Sequence, residues 1–204
     1  MSTMIPNPED YFKQFVPSRD PLLLELEEEA GRGEIPIVGP VVGELLFLLA
    51  RATRAKRILE LGTATGYSAI YLARAIIDRA GRLVTLEMDP GMAERARANF
   101  QKAGVQHLIE VREGDALEEM SKLIEPFDFI FMDIDKEHYA TVLDQCRRLL
   151  RVGGLLLADN VAFKEADDFN RMIFEDPHWK SIHVFTFLPR HSPEWDGLCM
   201  AVRV

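Results

Sequence analysis

The 204-residue chain carries 24 Lys and Arg against 33 Asp and Glu, a formal charge of −9, with 48% hydrophobic and 28% charged residues. These figures exclude a disordered tail, a collagen-like rod and a disulfide-stapled mini-domain, and they predict one domain over residues 1–204. Excess acid also argues against broad, non-specific binding to nucleic acid or anionic membrane, since both repel it at long range.

The first residues, MSTMIPNPEDYFKQF, show no basic stretch followed by an apolar one, so no secretory leader is expected. The apolar run LLFLLA is far shorter than the roughly 20 residues that cross a bilayer. Cys146 and Cys199 form no CxxC pair, which predicts two buried reduced thiols in a cytoplasmic protein.

Residues 1–56 are expected to form a helical extension ahead of a core over 57–204. PLLLELEEEAGRG (21–33) turns from apolar to acidic and ends in glycines, as a helix does; Glu27 to Glu29 are read as its solvated face. A connector, EIPIVGPVV, precedes a second helix over 43–57 with Leu45, Leu46, Leu48 and Leu49 on one face. From there short β-type runs alternate with amphipathic ones. The strands are RILELG (57–62), RLVTLEM (82–88), LIEVREG (108–114), FDFIFMD (127–133), LLLADN (155–160), SIHVFTFLP (181–189) and GLCMAVRV (197–204). Five β/α alternations with near-continuous apolar strands predict an α/β fold: a Rossmann-like, seven-stranded, mostly parallel sheet with helices on both faces. The last two strands have little between them, so the final strand is expected to run antiparallel.

In such a sheet ligands bind beyond the carboxyl ends of the strands, which directs attention to the residues just after each β run. The first is followed by Gly62-Thr63-Ala64-Thr65-Gly66-Tyr67-Ser68, a strand-to-helix turn in which glycines let the backbone approach a ligand and Ser68 is placed to cap the helix. It is not G-x-G-x-x-G. Glu87 ends the second strand, where an acid typically accepts hydrogen bonds from the hydroxyls of an adenosine ribose. Gly114-Asp115-Ala116 ends the third; it is either a plain turn or a border for an adenine.

MDIDKEHY puts Asp133, Asp135, Lys136 and Tyr139 after the fourth strand, and LLADNV puts Asp159 and Asn160 after the fifth. Neighbouring strands lie about 4.8 Å apart, so acids at their ends can share a cation. Asp133, Asp159 and Asn160 offer three hard oxygen donors and no His or Cys, a set that selects Mg²⁺, Ca²⁺ or Mn²⁺ over zinc. The five histidines are scattered without ligand spacing and are read as surface or core residues. Trp179 and Trp195 are read first as packing, with a substrate wall as the second reading.

Together, ELGTATGYSAIYLA, MDIDKEHY and LLADNV resemble the class I S-adenosylmethionine-dependent O-methyltransferases of the catechol and caffeoyl-CoA type, over roughly residues 35–204. GPVVGELL resembles that family's cofactor-roofing helix, and DGL at 196–198 also matches. The resemblance implies that Val38, Glu60, Gly62, Thr63 and Ser68 surround the methionine part of S-adenosylmethionine. It implies that Glu87 holds the ribose, that Ala116 borders the adenine, and that Asp133 lies near both cofactor and metal. Asp133, Asp159 and Asn160 would bind the divalent cation, with Mg²⁺ foremost, and Lys136 would be the general base. The implied acceptor is a small hydroxylated aromatic with vicinal oxygens, and a homodimer is expected.

ELEEEAGRGEIPIVGPVVGELL followed by ILELGTATGYSAI is also similar to the bacterial branch that methylates 5-hydroxyuridine at the tRNA wobble position, so the tRNA anticodon loop is the alternative acceptor. A dinucleotide-dependent oxidoreductase is the third reading, opposed by the missing G-x-G-x-x-G. Two segments depart from the family pattern, AFKEADDF after Asp-Asn-Val and RHSPEW between Pro189 and Asp196.

Overall fold

The computed structural model describes residues 3–33 and 35–204; Glu34, which opens the predicted connector, lies outside them. The N-terminal part supplies helices α1 (Pro8–Lys13), α2 (Pro21–Gly33) and α3 (Gly39–Ala52). The alternating part follows as β1 (Arg57–Leu61), α4 (Tyr67–Ile76), β2 (Arg82–Glu87), α5 (Pro90–Lys102), β3 (Ile109–Glu113) and α6 (Ala116–Ser121). It continues with β4 (Phe127–Met132), α7 (Tyr139–Leu149), β5 (Leu150–Ala158), α8 (Asp167–Glu175), β6 (Trp179–Phe187) and β7 (Trp195–Arg203).

The seven strands form one sheet in the order β3-β2-β1-β4-β5-β7-β6. Neighbours from β3 to β5 pair in parallel, and β7 runs antiparallel to both β5 and β6. The expected mixed sheet with a reversed last strand is what the chain forms. The period of two along each central strand divides its apolar residues between the faces. Ile58, Phe129, Phe131 and Leu157 pack with α3 and α4 residues such as Leu46 and Ile70. Leu59, Ile130, Met132 and Leu156 pack with Val142, Leu143 and Phe169 of α7 and α8. Both faces are covered, so the strands read as continuous hydrophobic runs.

Three boundaries differ most from the sequence reading. Helix α3 begins at Gly39, inside the predicted connector, because Pro40 fits the first helical turn, where its missing N–H costs nothing. It ends at Ala52, before the Arg-Ala-Lys-Arg stretch. Strand β5 begins at Leu150 and passes through Gly153, whose φ of +75° breaks the register with β4 between Phe127 and Phe129. The same Gly-Gly pair looks like a helix stop in the sequence. Among the described residues no helix is long and apolar enough to cross a membrane. Cys146 and Cys199 are free and buried, as expected.

Candidate active site

The strand register sets the site. Leu61 pairs with Leu86 on one side and Met132 on the other, and Met132 pairs with Ala158. One residue further on, Gly62, Glu87, Asp133 and Asp159 therefore stand in a row along the carboxyl edge. The backbone stitches that row together: Gly62 N–H donates to Leu86 O (3.0 Å), Asp133 N–H to Leu61 O (2.9 Å) and Asp159 N–H to Met132 O (3.0 Å). The strand order reverses between β1 and β4, the switch point at which doubly wound sheets open a crevice.

A cavity of about 540 Å³ occupies this crevice, lined by Val38, Gly62, Thr63, Ser68, Glu87, Ala116, Asp133 and Lys136 among others. The turn after β1 needs its glycines. A Cβ on Gly62, at φ +93°, would lie 1.9 Å from the Asp133 carbonyl oxygen, and one on Gly66, at φ +86°, would lie 2.4 Å from the Phe100 ring. Glu87 accepts hydrogen bonds on Oε2 from the N–H groups of Thr63 (3.2 Å) and Ala64 (2.8 Å), and on Oε1 from that of Asp89 (2.9 Å). It thus ties the turn to β2 while facing the cavity. Met88, Met92 and Leu117 form an apolar wall beside it. Thr65 also lines the cavity, and its buried hydroxyl has no hydrogen-bond partner among the described residues.

Two expected residues take other places. Ser68 does not cap α4, whose N-cap is Gly66 without a side-chain bond. The Ser68 hydroxyl donates instead to Glu60 Oε1 at 2.7 Å, and the Thr85 hydroxyl donates to Glu60 Oε2 at 2.6 Å. Glu60 is fully buried behind the cavity wall. Burial, against which these two hydroxyls work, pushes its carboxyl up to about 8, with the nearby charges of Asp133 and Glu87 adding to the rise.

On the other side of the row, Lys136 Nζ donates to Asp133 Oδ1 at 3.2 Å. Burial and then the charge of Asp159 push the Asp133 carboxyl up to about 6, while Lys136 pulls the other way. Asp159 and Asn160 do not line the main cavity; they are buried beside it, under the loop that joins β6 to β7. Tyr139, the last residue of MDIDKEHY, donates from its hydroxyl to the Asp159 carbonyl at 3.0 Å and so props the end of β5. Asn160 sits at φ +52°, a left-handed conformation that asparagine tolerates. Its Nδ2 donates to Asp196 Oδ2 at 2.5 Å. Since a carboxylate only accepts, this bond fixes the amide orientation and turns Oδ1 away from Asp196.

His191 is a functional candidate that the sequence reading passed over. Its Nε2 lies 3.0 and 2.9 Å from the two Asp159 carboxylate oxygens, and both side chains are about 1% exposed. Burial works against a charge on His191, but the hydrogen bond and charge of Asp159 outweigh it and raise the imidazole above its ordinary value. No spacing could reveal the pair, because His191 lies 32 positions beyond Asp159, with α8 and β6 between them. The one available signal is the unusual RHSPEW segment itself. Trp179 and Trp195 line neither this cavity nor the smaller one described below; Trp195 stacks on Phe185 with centroids 5.8 Å apart.

The donor chemistry suits a divalent cation. Asp133, Asp159 and Asn160 present oxygen donors at adjacent strand ends, and both carboxylates already hold cationic or proton-donating side chains, Lys136 and His191. Among the described residues, no three His, Cys, Asp or Glu side chains converge tightly enough to cage an ion by themselves.

A sheet of this order with a glycine turn, a ribose-type acid and an acidic switch-point edge defines a class I methyltransferase architecture. The family described as O-methyltransferase matches residues 18–182. The catechol O-methyltransferase of Mycobacterium tuberculosis is 35% identical over 97% of this chain and 96% of its own length. That of Niastella koreensis is 45% identical over 65% of this chain, a match that spans 61% of the relative's length. The crystal structure of an O-methyltransferase from Bacillus cereus in complex with SAH superposes with a TM-score of 0.87 at 31% identity, covering 97% of each chain. The chain belongs to the class I, S-adenosylmethionine-dependent O-methyltransferase family and is a methyltransferase.

Proposed function

We propose that the protein transfers a methyl group from S-adenosylmethionine to one hydroxyl of a small aromatic vicinal diol, with a divalent cation at the β4–β5 edge. The observation that carries this reading is the continuous row of Gly62, Glu87, Asp133 and Asp159, which joins a nucleoside-type cavity to a cluster of hard oxygen donors. Glu87 is the acceptor for ribose hydroxyls, Ala116 with Met88 and Leu117 flanks the adenine, and Val38, Gly62, Thr63 and Ser68 enclose the methionine end. Glu60 acts from behind, by holding Ser68. S-Adenosylmethionine, when bound, supplies an electrophilic methyl on a sulfonium.

Asp133, Asp159 and Asn160 are the residues that would hold the cation. When bound, it would favour the oxyanion of a phenol, which is otherwise protonated and a poor nucleophile near neutral pH. Lys136 Nζ, 3.2 Å from Asp133 and lining the cavity, is placed to take the phenolic proton as the neutral amine, the form that a cation bound beside it would favour. The remaining contribution of the protein is positioning. A second cavity of about 350 Å³, lined by Glu27, Arg190 and Ser192, shares Ile35, Pro36 and Ile37 with the first and offers space for the acceptor.

Relatives named as catechol O-methyltransferases favour this acceptor over the wobble 5-hydroxyuridine of tRNA. Incubation of the purified protein with labelled S-adenosylmethionine, a divalent cation and either catechols or hypomodified tRNA separates the two. Label on the catechol is the expected result; label on tRNA alone would overturn the choice. A homodimer and a cytoplasmic location belong to the same reading, and light scattering checks the first.

A further inference from the structure

The RHSPEW segment brings a nitrogen donor into a site whose sequence pattern offers only oxygen. His191 Nδ1 lies 2.6 Å from the Pro193 carbonyl oxygen. A carbonyl only accepts, so Nδ1 carries a hydrogen; Nε2, facing both oxygens of Asp159, carries one as well and donates it there. A buried imidazole with one N–H fixed by a backbone carbonyl and its other nitrogen directed at a metal-binding carboxylate has the wiring of a metal-ligating histidine. Asn160 is prepared in the same way, its Nδ2 held by Asp196 and its Oδ1 left free of that bond.

We infer that His191 Nε2 is itself a ligand of the divalent ion, beside Asp159 and Asn160, with the ion taking the place of the Nε2 hydrogen now shared with Asp159 and that proton released to solvent. This rests on the proposal above that the edge binds a divalent ion. A mixed nitrogen and oxygen set shifts preference away from Mg²⁺, which is held by oxygen, towards borderline ions such as Mn²⁺, Co²⁺, Ni²⁺ or Zn²⁺.

The test is pulsed electron paramagnetic resonance of the metal-stripped, full-length protein loaded with Mn²⁺. The expected spectrum shows hyperfine coupling to a directly bound imidazole nitrogen, which changes to the ¹⁵N pattern when histidine is ¹⁵N-labelled. His191→Gln removes that coupling and weakens Mn²⁺ binding by about 10-fold or more, with a much smaller effect on Mg²⁺. His138→Gln, at the histidine that lines the main cavity, keeps the coupling. The wild-type spectrum carries the test even if the His191 variant does not fold. Bound Mn²⁺ without nitrogen coupling, or tighter Mn²⁺ binding by His191→Gln, overturns the inference and leaves the ion site standing. No Mn²⁺ binding by the wild type overturns both.

Discussion

Glu60 and Asp159 are both fully buried acids, yet they meet different partners. Burial raises the Glu60 carboxyl to about 8, because the hydroxyls of Ser68 and Thr85 offset only part of the cost of a buried charge. A carboxyl raised in the folded state contributes stability that is whole below its unfolded value and is lost as pH rises through the folded one. Wild type should therefore lose thermal stability relative to Glu60→Gln between about pH 5 and pH 8, the interval over which only the folded state keeps the proton. Melting temperatures of both proteins across that range check this; parallel curves would contradict it. Asp159 instead faces His191, and Asp159→Ala would leave a buried imidazole without its partner. Urea unfolding should show a loss of about 3–5 kcal/mol, with cofactor binding largely kept and ion-supported turnover gone. The sequence showed that Glu60 and Asp159 end apolar strands. It could not show that one lies behind the cavity and the other under a loop, because that depends on contacts from β2 and from residue 191.

At the scale of elements, the strand ends were legible because each β run is apolar up to a chemically distinct residue, and the parallel register then aligns those residues. The segment after β6 was not legible. Its placement over Asp159 follows from β7 inserting between β5 and β6, a pairing that no local pattern encodes. The N-terminal helices were expected, but their link to the site was not. Glu27 of α2, read as part of a solvated face, has a side chain only 8% exposed; it takes two hydrogen bonds from Arg19 (2.8 and 3.1 Å) and one from the Tyr67 hydroxyl (2.8 Å). Tyr67 opens α4 and lines the main cavity. Glu27→Ala strands both partners, so we expect a loss of about 1–3 kcal/mol and a raised KM for S-adenosylmethionine, with kcat at saturation changed less. Steady-state kinetics and urea unfolding measure the two effects. Gly62→Ala is the sharper change, since its Cβ meets the Asp133 carbonyl at 1.9 Å. It should cost at least about 2 kcal/mol, and calorimetry should find cofactor binding severely weakened.

For the whole molecule, a charge of −9 says little about partners until the acids are located. Many are surface partners of arginines, as in Arg51–Asp78 and Arg97–Glu113, where an exposed ion pair contributes little. A handful stand along one sheet edge, and those define where a cationic cofactor, a ribose and an ion can be held. Fold and cofactor class follow from that edge; on the proposed function, the acceptor is chosen by Arg190, Ser192 and the loop around them, the segment whose sequence is expected to depart from the family pattern. The most direct test is the rate of methyl transfer from labelled S-adenosylmethionine to a catechol, measured with a divalent ion, in excess EDTA, and after the ion is restored. The account predicts turnover that collapses in EDTA and returns with the ion. An undiminished rate in EDTA would contradict it.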